Sequence, residues 1–372
     1  MNQMYSFLTS LDIEDYVLTH KVVLALFIIF GTLILKTLAG QESRVIRNDK
    51  ILLILYIVFF TLFAGTRAPT IGVDTNNYYY FFYLPATQVG FFEMFSVLNT
   101  DFLFEVLMSL TVWLNFYPAY IFSVALVMNI TFYVFIRKFT NYGKDGSGLV
   151  VFLFLVCSFS FLNLELNIVR NGLAIGFILI AIHYALEENL KKCLLFFLIG
   201  YLFHRTTIIP FVLVMLIWKF KDVPLKYYLL LYVMAIGLSI VGFGFHSVSF
   251  LTSLGSEDLQ SLKFTGETTY KIGFRPDFVA YNTIFLALFF MFIKSTNKKG
   301  TKLLKIYILT SIIFFFNFYI PFSDRFGLYS WVIVPLLFYN IINESFPKRR
   351  LYISTVVLIS FFILNYIILF QD

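Results

Sequence analysis

Apolar runs of about 20 residues recur along this chain from one end to the other, separated by short polar breaks. A helix needs that length to cross a hydrocarbon layer ~30 Å thick, and inside the layer every backbone N–H and C=O must find its partner within the protein. The pattern dictates an all-α, polytopic membrane protein, organised as a single integral membrane domain over residues 1–372. Composition points the same way. Sixty per cent of the residues are hydrophobic and 13% charged, with a mean hydropathy of +0.85, which excludes an ordinary soluble domain.

Charge sets the expected topology. Residues 1–20 carry Asp12, Glu14 and Asp15 in place of the basic start of a cleaved leader, and the first span is followed by Arg44, Arg47 and Lys50. That span should insert with its N-terminus outside. Twelve spans are expected, at about 21–39, 51–66, 118–136, 148–163, 170–186, 193–204, 206–218, 227–245, 278–293, 306–320, 327–343 and 351–370, with both termini extracytoplasmic. The alternate loops 36–50, 137–144, 187–192, 219–226, 294–305 and 344–350 then hold 20 of the 28 lysines and arginines, as inner-face loops should. The apolar segment 102–116 tests this count. If it crossed, Arg137, Lys138, Lys144 and each later basic cluster would move outside, so it is read as a short membrane-associated helix on the outer face. It lies within an outer loop over 67–117, and a second large outer loop covers 246–277.

Several function classes drop out. The net charge of +7 comes in clusters between spans rather than along a binding stripe, which argues against nucleic acid. Cys157 and Cys193 lie in apolar stretches without disulfide or metal spacing, and His20, His183, His204 and His246 are scattered, so no metal and no cofactor is expected. No Walker A loop, dinucleotide fingerprint, zinc motif or nucleophile elbow is present.

What remains is an exception to the charge rule. Ten residues are arginine, and five of them, Arg67, Arg170, Arg205, Arg275 and Arg325, fall at outer ends of spans. Arginine grips phosphate through a planar fork of donors, so a phosphorylated, lipid-borne substrate is expected. Around Arg67, Gly72 allows a tight turn, Asp74 offers a short carboxylate, and Tyr78 with Tyr79, Tyr80 and Phe82 presents flat faces for sugar rings; an anchor, a turn and an aromatic belt would look the same. Glu105 stands between Phe104 and Val106, where ionisation is costly, the setting in which a general acid or base is tuned. Arg170 opens a span whose Gly172 and Gly176 permit close helix approach. His204 and Arg205, with Thr206, form a polar tip between two apolar stretches. Arg275 and Asp277 precede a span, while Asp324 and Arg325 share a short loop with Tyr329 one helical turn on.

Taken in order, Arg67, Gly72-Val73-Asp74, Tyr78, Glu105, Arg170 with Leu173-Ala174, His204, and Arg325 with Tyr329 resemble the EpsG-like branch of the Wzy family. These are integral membrane polymerases of bacterial O-antigen, capsule or exopolysaccharide repeat units. Asn171 stands where a glutamine is usual and Thr206 where a serine is common; both keep hydrogen-bonding character. The resemblance implies a GT-C-like or Wzy-like helical bundle in the bacterial inner membrane. It also implies a metal- and nucleotide-independent glycosyltransferase that moves a glycan from undecaprenyl pyrophosphate to the terminal sugar of an incoming lipid-linked repeat unit. Its partners would be those lipid-linked oligosaccharides, the bilayer and a chain-length regulator of the Wzz type. Arg67, Arg170 and Arg325 are the expected pyrophosphate clamp, with Arg205 and Arg275 secondary. Asp74 or Glu105 is the expected base, with His204 third. A glycosyltransferase or ligase using a polyprenyl-linked donor, and a flippase for lipid-linked oligosaccharides, are the competing readings.

Overall fold

In a computed structural model, the described residues are 11–37, 42–94, 101–144, 147–247, 271–294 and 296–369; they are helical and contain no strand. The helices are α1 (Ile13–Thr37), α2 (Glu42–Gly65), α3 (Val73–Tyr78), α4 (Leu84–Thr87), α5 (Phe102–Val112), α6 (Tyr117–Phe139), α7 (Gly148–Val156), α8 (Phe159–Leu166), α9 (Val169–Leu186) and α10 (Leu190–Phe203). They continue with α11 (Ile208–Lys219), α12 (Leu225–Ile240), α13 (Pro276–Phe292), α14 (Lys298–Phe316), α15 (Asp324–Trp331), α16 (Ile333–Ser345) and α17 (Arg350–Ile363). Residues 248–270, most of the second outer loop expected from the sequence, lie outside the described residues.

Local signals in the sequence start many of these helices. The Asp12 carboxylate accepts the Asp15 N–H at 2.8 Å, so α1 begins at residue 13 rather than 21, its acidic first turn at the positive end of the helix dipole. Asn189 and Asn297 cap α10 and α14 through their side-chain oxygens, and prolines sit in the first turns of α6 and α13. Among the described residues, five helical stretches qualify by length and composition to cross a membrane, α15 with α16 counting as one, or six if the bent pair α7–α8 is also one span, as expected of a helical membrane protein. The twelve expected spans include shorter helices. At 14 and 12 residues, α10 and α11 reach only about 21 and 18 Å.

The expected span 148–163 is broken, not straight: α7 and α8 meet at 76° across Cys157 and Ser158. Ser158 adopts an extended backbone and heads the new helix. The break frees the carbonyls of Val156 and Cys157. Tyr366 Oη donates to the first at 3.0 Å and Asn365 Nδ2 to the second at 3.0 Å, so neither is left bare.

The chain forms two compact units, Met1–Phe211 with Phe346–Asp372, and Val212–Ser345. In the first, α9 packs between α6 and α10, while α2 lies along α6 and α7. Gly176 permits the close approach of α9 to α6, and Gly172 its approach to α8. A Cβ on Gly172 would stand 2.5 Å from the Leu164 carbonyl oxygen, and one on Gly176 would run into Thr131. At the start of α2, Asp49 accepts from Ser147 Oγ at 2.5 Å and from the N–H groups of Gly148 and Leu149 at 2.9 Å, tying α2 to the start of α7.

In the second unit α14 packs against α12, α15 and α16. Its apolar interior holds a polar knot around Asn282. The amide nitrogen of Asn282 donates to Ser311 Oγ at 3.1 Å, its oxygen accepts from Trp331 Nε1 at 3.1 Å, and its carbonyl accepts from Tyr307 Oη at 2.8 Å.

Candidate functional site

Within the first unit, a buried carboxylate gathers residues that lie far apart in the chain. Asp101 immediately precedes α5 with its side chain 3% exposed. Its Oδ2 accepts from Arg170 Nη1 at 3.0 Å and faces His204 Nδ1 at 3.1 Å, while Oδ1 accepts the Arg205 N–H at 3.1 Å and has Arg205 Nε at 3.5 Å. Arg170 comes from the first turn of α9; His204 ends α10, and Arg205 opens the short turn that follows. Exposure rises outward from this centre. The Arg170 side chain is 26% exposed and that of Arg205 45%, so the cations are more open than the carboxylate they hold. Burial works against ionisation of Asp101. The hydrogen bond and charge of His204, then Arg170 and the Arg205 N–H, more than offset it and hold the carboxyl below the usual carboxylate range.

An aromatic wall backs the cations. The Arg170 guanidinium lies 5.8 Å from the ring centres of Phe82 and of Phe104, and Tyr78 hydrogen-bonds it. Tyr78 packs in turn on Phe104 and Tyr120, the latter buried and within the field of both Arg170 and Arg67. Backbone contacts hold the segment bearing Tyr78. Gly72 takes φ +96°, and a Cβ there would stand 2.8 Å from the Leu166 carbonyl oxygen. Thr75 Oγ1 donates to that same carbonyl at 3.2 Å, and Tyr117 Oη donates to the Thr75 carbonyl at 2.6 Å.

The structure thus brings together Tyr78, Arg170, His204 and Arg205 from the sequence-based candidates, around an aspartate that was not among them. Arg67 is elsewhere in the same unit and buried. It donates through Nη1 to the Ala64 carbonyl at 2.6 Å and through Nε to the Ile71 carbonyl at 3.4 Å, cinching the turn after α2. Its charge reaches Glu165, a buried carboxylate that accepts from Asn129 Nδ2 at 2.9 Å; neither Glu165 nor Asn129 was singled out in the sequence. Asp74 stands in the first turn of α3, where Asn77 Nδ2 donates to it at 3.2 Å, and Glu105 is buried in the first turn of α5.

The remaining candidates belong to the second unit. Arg275 binds Asp277 with two parallel donors, Nε at 3.1 Å and Nη2 at 2.6 Å, and its guanidinium stacks 4.4 Å from the Phe278 ring centre. Arg325 lies in the first turn of α15, stacking 4.5 Å from Phe322, and Tyr329 is buried on the same helix. The charges of Arg325 and Arg275 both reach Asp324. Among the described residues no group of three His, Cys, Asp or Glu is arranged to hold a metal ion.

Neither the curated proteins nor the solved structures contain a match to this chain. The family model described as "EpsG family" matches residues 50–372, which include every candidate residue named above. With most of its length matched, and with apolar helices long enough to span a bilayer, the chain belongs to the EpsG family of polysaccharide-polymerase-like membrane proteins.

Proposed function

We propose that this chain polymerises lipid-linked oligosaccharide repeat units at the outer face of the bacterial inner membrane. The growing glycan leaves undecaprenyl pyrophosphate and joins the terminal sugar hydroxyl of an incoming lipid-linked unit. One observation carries the reading: two arginines and a histidine from separate segments converge on Asp101, with the arginines the most open members. A diphosphate leaving group wants cationic forks, and an attacking hydroxyl wants a base beside them. The acceptor oxygen attacks the anomeric carbon of the donor's first sugar, and the bond from that carbon to the diphosphate oxygen breaks with its electron pair on that oxygen. The hydroxyl proton passes to His204. Arg170 and Arg205 stabilise the charge developing on the diphosphate, and the rings of Tyr78 and Phe82 border the sugars. No nucleotide enters, because the glycosyl–diphosphate bond is already activated.

The remaining sequence expectations extend this proposal. Twelve spans with both termini outside would put Arg170, His204 and Arg205 at the outer face. Loops 36–50 and 137–144 would then share the inner face, in keeping with Asp49 binding Ser147, Gly148 and Leu149. Arg67 adds positive charge from within the first unit, and Arg325, Arg275 and Tyr329 are substrate contacts by sequence alone. A chain-length regulator of the Wzz type is the proposed protein partner.

Charge-assisted hydrogen bonds are worth about 1.5–3 kcal/mol each, so losing one at the leaving group slows turnover by about 10- to 100-fold. The test is the polymer ladder in cells carrying Arg170→Ala, Arg205→Ala or His204→Gln as the sole copy. The expected result is a collapse to single repeats with accumulation of the lipid-linked unit. Full-length polymer at normal protein level in the Arg170 and His204 variants would sink the proposal.

A further inference from the structure

Asp101 occupies the position from which an aspartate usually caps its own helix, with an extended backbone (φ −108°, ψ 121°), yet its side chain makes no capping bond to α5. The carboxylate turns away instead. Both of its oxygens go to groups 69 to 104 residues along the chain. Being ionised, it can only accept, so the proton between it and His204 resides on Nδ1, and the neutral ring carries its acceptor lone pair on Nε2. Burial separates the roles: the acid lies behind His204, Arg170 and Arg205, out of reach of a substrate that those three meet first.

Resting on the polymerase reading above, we infer that Asp101 is a positioning residue of the transfer reaction. It fixes His204 in the tautomer that takes the acceptor proton at Nε2 while holding Arg170 and Arg205 apart at the place of the leaving diphosphate. It touches neither sugar nor phosphate. Its carboxyl, held below the usual range, stays ionised at neutral pH and is itself no base for a hydroxyl. The same arrangement sets the charge of the site. One carboxylate against two guanidiniums leaves a net positive pocket without the repulsion of two bare arginines side by side.

The inference makes turnover and diphosphate binding respond in opposite ways. In Asp101→Asn the tautomer is no longer enforced, but Arg170 and Arg205 lose a competing anion. The full chain in lipid nanodiscs is assayed with lipid-linked repeat units extracted from a strain lacking the gene, and a polyprenyl diphosphate serves as product inhibitor. Turnover should fall on the order of 100-fold while inhibition by the diphosphate stays as strong or strengthens. The variant joining Asp101→Asn to His204→Gln should be no slower than His204→Gln alone, because the two act as one unit. Wild-type turnover in Asp101→Asn, a joint loss of turnover and diphosphate inhibition, or a double variant slower by the full product of the two effects overturns the assignment. Asp101→Glu, which keeps the charge, runs through the same cycle so that poor accumulation of the amide variant decides nothing: coupling to His204→Gln supports the role, and multiplicative losses refute it. Wild-type turnover in His204→Gln alone overturns the polymerase reading instead.

Discussion

Two glycines in helices, Gly172 in the first unit and Gly237 in the second, give the sharpest test of how the helices are packed, because one alanine substitution should act with opposite sign at each. At Gly172 in α9 the new methyl would stand 2.5 Å from the Leu164 carbonyl oxygen and 2.9 Å from Met128 Sδ. The sulfur can move aside, but the carbonyl belongs to the backbone of α8 and can yield only if the helices separate. Overpacking of this kind costs about 1–3 kcal/mol, and the backbone contact puts Gly172 in the upper half of that range. Alanine recovers about 1 kcal/mol of helix propensity, leaving a net loss of about 1–2 kcal/mol. At Gly237 in α12 nothing lies within 4 Å of the added methyl, so only the gain remains, about 0.5–1 kcal/mol. Thermal unfolding of the two purified variants in detergent, followed by tryptophan fluorescence, reads both signs. Gly172 also lies two residues beyond Arg170, so Gly172→Ala should reduce polymerisation beyond what its stability loss explains. A Gly172→Ala protein unfolding at or above the wild-type temperature, or a Gly237→Ala protein unfolding below it, would refute the packing argument.

Asn282→Ala removes the acceptor that Trp331 Nε1 uses inside the second unit and should cost about 1–3 kcal/mol, read as a lower unfolding temperature; an unchanged transition counts against the polar knot as a stabilising element. For Asp101 the sign of the pH effect follows from its direction. A folded-state pKa below the unfolded value gives stability that is present above the unfolded pKa and is lost as pH falls through the folded one. Wild-type protein should therefore lose stability more steeply than Asp101→Asn as pH is lowered from 7 through the carboxylate range, and parallel curves in the two proteins would contradict the linkage.

Membrane class and helical content follow from residue patterns alone, since hydropathy and charge act over stretches of 20 residues or fewer. Arg170, His204, Arg205 and Tyr78 were equally visible. The three basic residues interrupt apolar runs, where a polar group needs a reason, and Tyr78 heads an aromatic run. Asp101 gave no such sign. An aspartate just ahead of an apolar segment reads as a helix cap, and only the fold reveals that its carboxylate serves partners on α9 and after α10. Glu165 was overlooked for a related reason: in a run of leucines and asparagines it passes for the polar edge of a helix, and its meaning lies in Asn129 and in the charge of Arg67. The bend at Ser158 was also hidden, because no proline or glycine marks it.

That bend has a bearing on how the protein is made. The groups that satisfy the Val156 and Cys157 carbonyls, on Asn365 and Tyr366, are synthesised more than 200 residues later, after the whole of Val212–Ser345 has left the ribosome. Until then two carbonyls at an interrupted helix lack their final donors, an arrangement costing several kcal/mol per group wherever water is excluded. The first unit therefore cannot complete itself in the order in which it is translated. Its closing step waits for a segment made after the second unit, so the second unit is synthesised while the first is still unfinished.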